Sequence, residues 1–74
     1  METHLDLATS AHEAANMLSV RLCDDVRVLL LPQHNAAILH HDGQRLATFH
    51  GPYYRDFTAS EIVRDIIHRE GVSA

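Results

Sequence analysis

Seven histidines, one cysteine and a Tyr53-Tyr54-Arg55 run are the side chains of this 74-residue chain best equipped for chemistry. Histidine supplies general acids, general bases and metal ligands near neutral pH. His40 and His41 are adjacent, and neighbouring strand residues point to opposite faces, so the two rings serve no common ion. His34 and His50 fall together at the open end of a predicted hairpin, and any catalysis would be assigned to that pair. A structural zinc wants more ligands than this. With one cysteine and neither Cys-x-x-Cys nor His-x-x-x-His spacing, no metal and no cofactor is expected. Ser10, Thr58 and Ser60 sit at predicted helix starts. Cys23 precedes Asp24 and Asp25, the wrong charge beside a thiolate nucleophile, and is expected as a small buried residue at a helix end. The chain reads as non-enzymatic.

The elements that position these residues are announced by two phrases, Ser10-Ala11-His12-Glu13 and Thr58-Ala59-Ser60-Glu61. Each has the pattern of a capping box, in which hydroxyl and carboxylate satisfy each other's backbone amides. The first predicts a helix after Ser10, with residues 1–9 as a lead-in and 10–74 as one domain. Its apolar face is Ala11, Ala14, Ala15, Leu18 and Leu22; Met17 and Val20 lie off that stripe. Val26 to Leu31 reads as a strand stopped by Pro32. Asn35–His41 and Gln44–His50 read as hairpin arms around Asp42-Gly43. The second helix is expected from Ala59 to Glu70, with Gly71 just past its end. The predicted fold is α+β: helix, three-stranded antiparallel sheet, helix (αβββα).

A regular two-residue turn would pair Leu39 with Leu46 and Ala36 with Phe49. That puts Ala36, Ile38, Ala47 and Phe49 on one face and Ala37, Leu39, Leu46 and Thr48 on the other. The expected core is Leu18, Leu22, Val28, Ile38, Phe49, Ile62 and Ile66. Both faces are partly apolar, and an uncovered apolar patch on a small domain marks an interaction surface. The expected partner-binding residues are Arg27, Leu29, Leu39, Arg45 and Leu46 on that face, and Tyr53, Tyr54 and Arg55 on the following loop. Aromatic and arginine side chains of this kind are enriched at interface hot spots.

Charge narrows the partner. Ten acids face six arginines and no lysine, for a formal charge of −4, so nucleic acid is not expected as the main ligand. A domain this short buries only about 60–65 % of its unfolded surface, and a partner protein or a second copy would stabilise it. No apolar run is long enough for a membrane span, the N-terminus lacks a signal-peptide pattern, and a lone cysteine fits the cytoplasm. The expected function is that of a small protein-binding regulator or inhibitor.

One resemblance is present. His41-Asp42-Gly43-Gln44-Arg45-Leu46-Ala47-Thr48-Phe49, then Thr58 through Ile62 and Ile66-Ile67-His68-Arg69-Glu70-Gly71-Val72-Ser73, resembles the C-terminal half of HicA-type toxins. Those are small mRNA interferases of toxin–antitoxin pairs with a double-stranded-RNA-binding-like αβββα fold. The resemblance implies that fold and, as an alternative function, an RNA-acting toxin or an inactive relative of one. The family's Gly-Ser-His, whose histidine is catalytic, falls on His34-Asn35-Ala36 when counted back from the turn. The catalytic position is therefore Ala36, with His34 two residues earlier on the same side of the strand.

Overall fold

The computed structural model describes residues 7–71. They form α1 (Leu7–Leu22), β1 (Val26–Leu31), a 3-10 turn (Pro32–His34), β2 (Ala36–His41), β3 (Gln44–His50) and α2 (Ala59–Glu70). The strands make one antiparallel sheet in the order β1-β2-β3, so the αβββα architecture is as expected.

α2 has the predicted bounds because both ends are chemically fixed. The Thr58 hydroxyl accepts from the Glu61 amide at 3.2 Å, and the Glu61 carboxylate accepts from the Thr58 amide at 2.8 Å. At the other end Gly71 takes a left-handed φ of 67° and donates its amide to the Ile67 carbonyl.

α1 corrects the reading of its own start. Ser10 lies inside the helix rather than capping it, so the lead-in assigned to 1–9 is helical from Leu7 to Thr9; residues 1–6 lie outside the described residues. The reason is hydrophobic. Leu7 packs against the core and extends the Ala11, Ala14, Ala15, Leu18 and Leu22 stripe by one turn. The helix ends in a Schellman motif: Asp24 donates to the Ser19 carbonyl at 3.1 Å and Cys23 to Val20 at 3.3 Å. Cys23 occupies the left-handed position (φ 56°) and is exposed, not buried. Ser19 then joins helix to sheet. Its hydroxyl donates to the Ala15 carbonyl and accepts from the Val26 amide at 2.9 Å.

The hairpin has the predicted turn but not the predicted register. Asp42 and Gly43 both have positive φ, 57° and 76°, as a type I′ turn requires. His41 pairs with Gln44 and His40 with Arg45, but Leu39 pairs with Ala47, Ile38 with Thr48 and Ala37 with Phe49. Leu46 is the extra residue of a β-bulge. Beyond it the two strands are out of phase with a regular hairpin by one residue, and a one-residue slip exchanges faces. Ala37, Leu39, Ala47 and Phe49 therefore share the covered side with Val26, and pack on Ala11, Ala14, Leu18, Ile62 and Ile66. Ile38, expected in the core, falls on the opposite side and is half-buried. Leu22 and Val28 are half-buried against the core.

The loop after β3 is anchored by two residues. Gly51 is buried against Asn35, which takes a left-handed φ of 50° and accepts the Gly51 amide at 2.9 Å. A Cβ at Gly51 would stand 2.8 Å from the Asn35 carbonyl oxygen, closer than real side chains approach. Tyr54 turns inward, 1 % exposed, with its ring 5.0 Å from Phe49 and 5.2 Å from Phe57.

Candidate functional site

Both helices cover the Val26–Leu39–Phe49 side of the sheet, which leaves the other side open. Register and alternation put three cross-strand rows on it. Arg27, His40 and Arg45 form the row nearest the turn, Leu29, Ile38 and Thr48 the middle row, and Leu31, Ala36 and His50 the far row. The surface thus carries two guanidinium groups in the row nearest the turn and is mainly apolar in the middle. Leu29 is 49 % exposed at its centre, where a soluble strand would usually carry a polar residue.

The polar groups of this face are held lightly. Arg45 donates to the Thr48 hydroxyl at 3.5 Å, and Arg27 lies 3.6 Å from the Asp25 carboxylate with both side chains well exposed. Exposed pairs of this kind contribute about 0–1 kcal/mol, so either guanidinium can turn to a partner at little cost. A groove of about 600 Å³, lined by Arg27, Val28, Leu29 and His40 with Asp25 and Asp42, lies beside the first row. His41 points to the other side and bonds Asp24 at 3.1 Å. The two neighbouring histidines are separated as strand geometry demands.

Three expected partner-binding residues are displaced from this surface. Leu39 is 0 % exposed in the core, because the bulge moves it to the covered face. Leu46, the bulged residue, is half-buried against the core. Tyr54 is a core residue whose hydroxyl donates to Asp65 at 2.6 Å. Burial, then the hydrogen bond to Asp65, push its pKa well above the ordinary tyrosine range. Arg27, Leu29, Arg45, Tyr53 and Arg55 are exposed as expected. The register slip exchanges the faces of β2: Ile38, expected in the core, and His40 take the place of Leu39 and Ala37 beside Thr48, which stays on the face expected for it. Both alternative catalytic residues lie at the surface: His34 is exposed at the end of the 3-10 turn, and His50 is exposed directly across from Ala36. Among the described residues no three His, Cys, Asp or Glu side chains are placed to hold a metal.

A second, smaller surface surrounds the tyrosine loop. Tyr53 lies under the Arg69 guanidinium, 4.8 Å from ring centroid to Cζ, and 5.7 Å from Phe57. Arg69 in turn pairs with Asp65 at 3.3 Å, so the half-exposed Tyr53 ring stacks on a side chain tied to α2. The i, i+4 spacing of Asp65 and Arg69 was visible in the sequence; its connection to the tyrosines was not.

Compared with protein-family models, curated proteins and solved structures, the chain matches none. No described helix is long and apolar enough to cross a membrane.

Proposed function

We propose that this chain is a small non-enzymatic protein-binding regulator or inhibitor, acting in the cytoplasm. It docks partners on the open sheet face. The observation that supports this reading is Leu29, half exposed on a regular strand and flanked by the Arg27–His40–Arg45 row. An apolar centre that loses water on docking, with guanidinium groups at its rim, is the anatomy of a protein interface. Rim arginines pair bidentately with carboxylates, so the partner segment would be apolar with acidic residues beside it. Tyr53 and Arg55 on the loop are a second contact point for the same class of partner.

The test compares the tagged chain with Leu29→Asp, both expressed in the native host. The side chain of Leu29 lies outside the core, so the variant should melt with the wild type. It should lose a protein retained by the wild type, since closing an interface over an unpaired carboxylate is costly. Retention of the same protein by Leu29→Asp would overturn the reading.

A second reading, an RNA-acting relative of HicA-type toxins, is supported by one feature. His50 lies across the strand pair from Ala36, the catalytic position of the resemblance, on the face that carries Arg27 and Arg45. Co-purification of RNA instead of protein, with salt-sensitive affinity lost in Arg27→Ala and Arg45→Ala, would favour it.

A further inference from the structure

β1 is an edge strand whose outer rim has an unusual symmetry. In an antiparallel ladder alternate residues turn their amide and carbonyl toward the neighbouring strand, and those between turn them away. Two observations fix which residues of β1 turn outward. The Val26 amide bonds the Ser19 hydroxyl rather than β2. Independently, the two-residue turn makes His41 and Gln44 the closing pair, so the backbone groups of His41 point to β3 and not to its β1 partner Val26. Val26, Val28 and Leu30 therefore face outward, while Arg27, Leu29 and Leu31 bond β2.

At one end of this rim the Val26 amide is already occupied. At the other, Pro32 has no amide to offer. The outward donors that remain on β1 are those of Val28 and Leu30, placed symmetrically about Leu29. An edge with unpaired donors and acceptors recruits another strand unless it is blunted. This one carries no proline, lysine or inward charge between Val26 and Leu31.

Resting on the protein-binding reading above, we propose that the partner at this edge is a second copy of the chain. The two β1 strands add antiparallel about a two-fold axis through Leu29. In that register Val28 of each copy pairs with Leu30 of the other, and each pair exchanges two backbone bonds. Leu29 meets its own counterpart on the open face, and Arg27 lies opposite Leu31, so no like charges face each other. Shifting the register by one step either way to an axis on Val28 or Leu30 would bring the occupied Val26 amide or the missing Pro32 amide into a bonding position. The three strands of each copy then form one continuous sheet, with the half-buried Val28 and Leu30 extending the core across the axis. The contact is one strand long, smaller than the roughly 800 Å² per partner of a standard interface, so a weak, readily dissociating dimer is expected.

The test uses the full chain, made by chemical synthesis, and sedimentation velocity across a concentration series. N-methylation of the Leu30 amide removes an outward donor and leaves the β1–β2 ladder intact. It should weaken the dimer at least about tenfold, since each dimer loses two such bonds, one from each copy, with the circular dichroism melt unchanged in dilute solution where the chain is monomeric. Oxidation tests the register in a Cys23→Ser background. Leu29→Cys should cross-link to itself, because a directly opposed non-bonded pair has about 4.5 Å between Cα atoms, within disulfide reach. Val28→Cys should not. A chain that stays monomeric at every concentration, a dimer indifferent to N-methylation, or faster cross-linking at Val28→Cys would each overturn the proposal. A monomer that still retains a partner protein through Leu29 would overturn only the dimer. One that retains none would overturn the protein-binding reading with it.

Discussion

Replacing Tyr54 by phenylalanine isolates one bond in the link between the loop and α2. The ring contacts to Phe49, Phe57 and Tyr53 survive, and the 2.6 Å hydrogen bond to Asp65 is lost. Bonds to charged groups contribute about 1.5–3 kcal/mol. Asp65 keeps Arg69 at 3.3 Å, and its side chain is 24 % exposed, so water can take the place of the hydroxyl. The expected loss is therefore at the low end, about 1.5–2 kcal/mol, read as a drop in the urea midpoint at constant slope. In a domain this small that corresponds to about 6–16 °C in Tm. The bond also has an alkaline signature. Tyr54 binds its proton more tightly folded than unfolded, because burial and then Asp65 raise its pKa. Its contribution is whole below the unfolded value of about 10 and is lost as pH rises from there toward the folded value. Wild type should lose stability more steeply than Tyr54→Phe above that pH. A loss under about 0.5 kcal/mol, below the range for a made bond, together with matching alkaline slopes, would show that the Tyr54–Asp65 bond does not hold the loop to α2.

Leu39→Asp should unfold the isolated domain, because Leu39 is wholly buried and a carboxylate there has no partner; a folded variant by circular dichroism would contradict the bulged register. Gly51→Ala should destabilise by about 1–3 kcal/mol in urea titration, the cost of overpacking, because its Cβ meets the Asn35 backbone. Cys23→Gly should raise stability by up to about 1 kcal/mol, since glycine takes the left-handed cap without a Cβ penalty. A lowered urea midpoint would show that the cysteine side chain contributes at the cap.

The parts of the fold legible in the sequence are those set by local chemistry. Thr58, Glu61 and Gly71 fix α2, Pro32 stops β1, and Asp42-Gly43 makes the turn. The start of α1 was misread because Ser10 matches a cap pattern while Leu7, one turn earlier, has apolar surface to bury. The site was only half legible for a non-local reason. Nothing in Arg45-Leu46-Ala47 announces a bulge, since any of those residues fits a regular strand, and its position is decided by which face packs against the helices. β1 has no such irregularity, and there Arg27 and Leu29 were placed correctly. On β2 the same alternation, carried across a regular hairpin from Phe49, puts Leu39 on the open face and Ile38 in the core, the reverse of the bulged register.

The most direct test of two copies joining along β1 is residue-resolved amide hydrogen exchange. It should be followed from dilute to concentrated solution. The Val28 and Leu30 amides should exchange quickly when dilute and become protected as concentration rises. Leu29 and Arg27, bonded to β2, should be slow throughout, and α1 and α2 unchanged. Exchange at Val28 and Leu30 that ignores concentration, or protection that builds on the helices instead, would contradict pairing along β1.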